Sequence, residues 1–140
     1  TAPDPEGNGA VRSMQYALAD AELSPDQVSH INAHGTSTPL NDLAESVAVR
    51  RIFNNRPIPT TSIKGHLGHS LAAAGALEGV VSVLTLLNQL IPPTAGTIEV
   101  DPAIGLDVVL GQPRETHVDI ILSNSFGFGG HNGSVVFKRV

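Results

Sequence analysis

The stretch TTSIKGHLGHSLAAAGALEGVVSVLTLLNQL, residues 60–90, decides the fold. Thr60 to Ile63 is a short run with the residue types of a strand, and it ends at Lys64. A turn of small residues follows, with His66 in Gly65-His66-Leu67-Gly68 and His69 in Gly68-His69-Ser70. Residues 70–90 then carry apolar side chains on nearly every side, the pattern of a helix buried inside a domain. Its first turns, Ala72-Ala73-Ala74-Gly75-Ala76, let other backbone approach closely, and Pro92-Pro93 stop it. A short strand, a tight turn and a buried helix are the building unit of a layered α/β domain.

A similar unit lies upstream. Val28 to Asn32 reads as a strand whose end carries His34, in Asn32-Ala33-His34-Gly35-Thr36. Asn41 or Asp42 caps a helix that runs to about Phe53. Before it, residues 1–8 read as a loop, and Val11, Met14, Leu18 and Ala21 mark an amphipathic helix over roughly 9–22. Ser24-Pro25-Asp26-Gln27 is a capping-box start for a short turn. Downstream, short strands are expected over Thr97 to Val100 and Asp107 to Leu110. Val118 to Leu122 is an apolar strand running into Ser125-Phe126-Gly127-Phe128-Gly129-Gly130, and Gly133 to Phe137 returns beside it as a hairpin. The whole is an α/β domain with a mixed sheet.

Composition narrows the function. The chain has 140 residues, enough for one domain over 1–140, with 41% hydrophobic and 15% charged residues, so it can bury a core. A net charge of −5 with scattered basic residues gives no footprint for nucleic acid. There is no cysteine, hence no disulfide, no thiolate metal site and no thiol nucleophile. No membrane span is expected, because Leu71 to Leu90 is interrupted by Gly75, Glu78, Gly79, Ser82 and Thr85. The start at Thr1-Ala2-Pro3 has no initiator methionine and no signal pattern, and reads as the interior of a longer protein.

His34 and His69 each follow a strand, where ligands bind in open α/β sheets. His69 also precedes the buried helix, whose positive end favours neutral imidazole and thus a hydrogen-bond donor for a developing oxyanion. Thr36 and Thr38 offer hydroxyls for a polar ligand arm; the plainer alternative is a turn histidine followed by helix-capping threonines. Glu78 on the buried helix needs a partner, for which Lys64 is the candidate, with Glu45 as a second carboxylate. His34, His66 and His69 with a carboxylate could be read as zinc ligands, but the last two sit in a turn rather than on a helix face and Lys64 would repel a dication. No metal is therefore expected. The glycine loop lacks a P-loop ending and leads into a strand, which opposes a nucleotide site. His30, His117 and His131 read as structural or surface residues.

Together, Asn32-Ala33-His34-Gly35-Thr36-Ser37-Thr38-Pro39, then Lys64 through His69 to Glu78, then Asn124 through Gly130 resemble the C-terminal half of a β-ketoacyl-acyl-carrier-protein synthase of the elongating type. Ketosynthase domains of polyketide synthases share the pattern. The resemblance implies the second half of a thiolase fold, layered, with a mixed central sheet and a buried helix. It implies a decarboxylating Claisen condensation in which malonyl on acyl carrier protein loses CO₂ and attacks an acyl group held on a cysteine of the first half. It implies that His34 and His69 donate to the malonyl thioester oxygen, and that Lys64 tunes the site through Glu78 with Glu45 nearby. Thr36 and Thr38 would hold the pantetheine arm, and Phe126 would be a gating aromatic whose backbone N–H joins an oxyanion hole. No cofactor is expected beyond the carrier's phosphopantetheine. Implied partners are acyl carrier protein, the N-terminal half and a second copy of the complete enzyme; the implied compartment is the cytoplasm or an organellar stroma or matrix. A chain without the cysteine is expected to be inactive alone. Two other readings are a non-catalytic subunit of the chain-length-factor type and an independent metal- or acyl-carrier-binding module.

Overall fold

The computed structural model describes residues 2–140; Thr1, the first residue of the expected N-terminal loop, lies outside the described residues. The elements in order are α1 (Asn8–Asp20), β1 (His30–Asn32), α2 (Pro39–Ile52), β2 (Pro59–Thr61), α3 (Lys64–Leu67) and α4 (Ala74–Asn88). Then come β3 (Leu90–Ile91), β4 (Asp107–Val108), β5 (Arg114–Glu115), β6 (Ile120–Phe126) and β7 (Asn132–Lys138). Five strands form one mixed sheet in the order β4-β2-β1-β6-β7. The first four run parallel and the β6–β7 hairpin is antiparallel. β3 and β5 make a separate two-stranded ribbon.

Strand alternation divides the core in two. Ile31, Ile120 and Leu122 point to one face, where Val11, Met14 and Leu18 of α1 and Ala48 and Val49 of α2 cover them. Ile121 points to the other face and meets Leu86 of α4 with Ile91, Val109 and Val118. The same alternation sends Asn124 toward α2 and Ser125 toward α4, a point on which the site depends.

Several boundaries differ from the sequence expectations. The α2 cap is Thr38 in extended conformation, with Pro39 as the first helical residue; Asn41 and Asp42 lie inside the first turns. Lys64 and His66 belong to a one-turn helix rather than an irregular turn. A 3-10 turn over Leu71–Ala73 leads into α4, which ends at Asn88, before the two prolines. Its stop is Gln89, at φ +55, whose side chain donates to the carbonyls of Leu86 (2.7 Å) and Val118 (2.8 Å) and accepts from the Val118 N–H (2.9 Å). Thr97 to Val100 forms no strand, and Ile98 in it is almost fully exposed.

The largest departure concerns α4. It is buried on one flank only, and that flank carries Glu78, Ser82 and Thr85 beside Ala74 and Leu86. The outer flank presents Leu77, Val80, Val83, Leu84 and Leu87, with Leu87 72% exposed. Leu71–Asn88 is also, by length and mean hydropathy (1.6), long and apolar enough to cross a membrane, contrary to the sequence expectation. Its polar flank, however, packs on β6 and β7 and holds an ion pair against the sheet.

Candidate functional site

β1 delivers His34 two residues past its end, and α2 fixes the turn. Glu45 of α2 accepts the N–H of His34 on one carboxylate oxygen and the N–H of Gly35 on the other, each at 2.9 Å. Asn124 of β6 donates to the first oxygen (3.2 Å). Ser62, just past β2, donates its hydroxyl to the Gly35 carbonyl (2.8 Å). Gly35 is at φ +42, and a Cβ there would fall 2.5 Å from Ser62 Cβ, so only glycine fits. Burial pushes the Glu45 carboxyl up from its ordinary value, and the two backbone donors and Asn124 oppose that shift. Glu45 was expected as a second carboxylate near Lys64. Its hydrogen bonds go instead to the backbone that carries His34, none of them to Lys64, because α2 approaches from the opposite face of the sheet.

His69 sits before the 3-10 turn that opens α4. Its Nδ1 accepts the backbone N–H of Leu71 (3.1 Å), so in the neutral ring the proton is on Nε2. Leu71 makes that bond from φ +52, a left-handed conformation that costs a non-glycine residue roughly 1–2 kcal/mol. The His34 and His69 rings meet edge to face with centroids 5.7 Å apart. Nδ1 of His34 is buried without a partner, which leaves Nε2 as the nitrogen open to a ligand. Burial, then the charge of Lys64, then His69 lower the His34 pKa to about 4, so the ring is neutral at physiological pH.

Lys64 of α3 and Glu78 of α4 form a buried ion pair, their side chains 7% and 1% exposed. The other Glu78 oxygen accepts the Ser125 hydroxyl (3.3 Å). Phe126, the last residue of β6, tilts over His34 with ring centroids 5.7 Å apart. It is paired in register with Asn132, whereas Phe128 is 80% exposed beside Gly129 and Gly130, both at positive φ. Thr36 and Thr38 stand 3.1 Å apart, hydroxyl to hydroxyl, at the exposed entry to α2.

The structure thus brings His34, His69, Lys64, Glu78 and Phe126 together, sets Thr36 and Thr38 at the rim, and gives Glu45 a supporting place behind the turn. Ser62, Asn124 and Ser125 were not picked out from the sequence. For the last two, the alternation of β6 was the available signal. His66 turns away from the zinc arrangement and donates Nε2–H to the Pro93 carbonyl (2.9 Å). Among the described residues, no three His, Cys, Asp or Glu side chains gather at metal-ligand spacing. A cleft of about 330 Å³ lies behind the Gly35 turn between α2 and residues 94–108, and neither site histidine lines it.

This geometry sets two imidazoles edge to face beside a buried ion pair, in a chain that has no cysteine. Residues 1–97 match the family described as "Beta-ketoacyl synthase, C-terminal domain", and the chain belongs to that family. It is 46% identical, over 99% of its length, to the 3-oxoacyl-acyl-carrier-protein synthase 2 of Synechocystis sp.. The chain spans about a third (34%) of that relative. Among solved structures it is similar to a type II polyketide acyl-carrier protein in complex with its ketosynthase bound to the hexaketide (TM-score 0.96, 35% identity, 100% of this chain and 35% of that one). It is also similar to the ishigamide ketosynthase/chain length factor (TM-score 0.95, 36% identity, 100% of this chain and 34% of that one). The fold is therefore the thiolase-type fold of ketosynthases.

Proposed function

We propose that this chain supplies the hydrogen-bond donors and the electrostatic frame of a decarboxylating Claisen condensation in fatty-acid elongation, or in the closely related polyketide elongation. The observation that carries the reading is the edge-to-face pair of His34 and His69, with Nδ1 of His69 taken by the Leu71 N–H and Nδ1 of His34 buried, so that Nε2 is the nitrogen left to each ring. The malonyl Cα–carboxylate bond breaks and CO₂ leaves. The electron pair passes to the α-carbon and the thioester oxygen. Two preorganised donors stabilise that oxyanion more than they stabilise the ground-state carbonyl. The carbanion then attacks the acyl thioester on a cysteine supplied by the N-terminal half. A C–C bond forms, the C–S bond breaks and the thiolate is released. Electrons balance without a redox partner, and the only prosthetic group needed is the phosphopantetheine of acyl carrier protein.

The Lys64 ammonium helps keep His34 neutral, while Glu78 and, through it, Ser125 hold Lys64 in place. Thr36 and Thr38 suit the pantetheine arm because both hydroxyls are accessible beside His34. In this reading the backbone N–H of Phe126, the last residue of β6, is a further oxyanion donor. The exposed apolar flank of α4 supports an N-terminal half and a homodimeric complete enzyme as partners. The test is malonyl-carrier decarboxylation by the complete synthase. His34→Ala or His69→Ala should each lower the rate about 10²- to 10³-fold; a near-normal rate in either variant refutes the role.

A chain-length-factor-type subunit is the second reading, favoured by the likeness to a ketosynthase/chain length factor structure. Such a subunit has no need to retain His34, Lys64 and His69 together. A glutamine in place of the cysteine in the N-terminal half would decide for it.

A further inference from the structure

We propose that His66 is a positioning residue for Lys64, acting through a splint made by residues 92–95. This rests on the role assigned to Lys64 above. Four successive splint residues grip the segment that carries Lys64. The Pro92 carbonyl accepts the Thr61 hydroxyl (2.9 Å) and the Pro93 carbonyl accepts His66 Nε2–H (2.9 Å). The Thr94 hydroxyl accepts the Ser62 N–H (3.3 Å). The Ala95 carbonyl lies against Gly65, where an added Cβ would come within 2.0 Å of it.

Lys64 is thus anchored on both sides, by residues 61 and 62 before it and by residues 65 and 66 after it. The after-side anchor matters more than its length suggests. α3 is a single turn of four residues, too short to hold its own geometry by helix hydrogen bonds, so its orientation is set from outside. The splint itself is tied back to the sheet, since the Thr94 N–H donates to the Val109 carbonyl (2.7 Å). His66 is exposed and forms no part of the buried core, so its bond to Pro93 serves placement rather than burial. The consequence is functional: if α3 turns, the Lys64 ammonium leaves both Glu78 and the neighbourhood of His34.

The experiment uses the complete synthase and compares His66→Leu, His66→Gln and Lys64→Met. His66→Leu should lower malonyl-carrier decarboxylation three- to tenfold while leaving the rate of cysteine acylation and the melting temperature near parental values. His66→Gln, whose amide N–H has a similar reach, should restore most of the rate. Gly65→Ala, which pushes Ala95 away, should reproduce the His66→Leu pattern by a different route. A parental decarboxylation rate in His66→Leu, with Lys64→Met impaired, overturns the splint role. A parental rate in Lys64→Met as well means that the assigned role of Lys64 has failed instead. Equal loss in His66→Leu and His66→Gln overturns the hydrogen-bond argument.

Discussion

At the scale of single residues, Lys64 serves two ends that one substitution separates. Its charge lowers the His34 pKa, and it neutralises a Glu78 that is 1% exposed. In Lys64→Met, the His34 titration, followed by NMR of the ring protons, should move up from about 4 toward the ordinary 6.5. It should stop short of 6.5, because burial is the larger cause. The same variant leaves a buried carboxylate unpaired, at a cost of about 3–5 kcal/mol in unfolding free energy. An unmoved His34 titration would mean that the charge is screened. His30 offers a second case. It is buried in β1 with both ring nitrogens unpartnered, and burial lowers its pKa to about 3. The unfolded chain takes up this proton near pH 6.5 and the folded chain only near 3. Stability is therefore greatest above 6.5 and falls as pH drops through that window. Replacing the ring by one that does not titrate, His30→Phe, should remove about 2 kcal/mol of the loss that the parent shows between about pH 7 and about pH 5 in urea unfolding. Parallel pH dependence in the two proteins would count against it.

At the scale of elements, α4 shows where the sequence was legible and where it was not. Its length and strongly apolar character were plain from residues 70–90, but which flank faces the sheet was not. Hydropathy alone ranks Leu87 above Ser82, yet Ser82 is buried and Leu87 exposed. The reason is that Glu78 must reach Lys64 and Ser125, and that fixes the rotation of the helix about its axis. The apolar flank so exposed needs a cover. The chain alone is expected to self-associate, and Leu87→Gln should reduce that association in sedimentation velocity without lowering the urea midpoint; a monomeric parent would refute this. The His34 turn was legible because its chemistry sits in consecutive residues. Its support was not, because Glu45, Ser62 and Asn124 converge from three elements and only the topology brings them together. The α2 cap was misplaced because Asn41 and Asp42 are good caps by residue type, whereas the helix starts at Pro39 behind Thr38.

At the scale of the whole molecule, the division of chemistry between two halves makes a prediction that neither half makes alone. On the function proposed above, the donors that stabilise the enolate lie in this chain, whereas the thiol that receives and releases the acyl group comes from outside it, since the chain has no cysteine. Decarboxylation needs the donors and a bound malonyl thioester. Condensation also needs the acylated thiol. The two activities should therefore part when the thiol is removed and the donors are kept. In the complete synthase, replacing the N-terminal cysteine by alanine should abolish condensation while malonyl-carrier decarboxylation stays measurable, as followed by release of labelled CO₂. His34→Ala, added to that variant, should then remove the remaining decarboxylation by about two orders of magnitude. If the alanine variant loses both activities together, the donors do not act independently of the thiol. Assigning the decarboxylation step to His34 and His69 would then be wrong, even though the fold and the family stand.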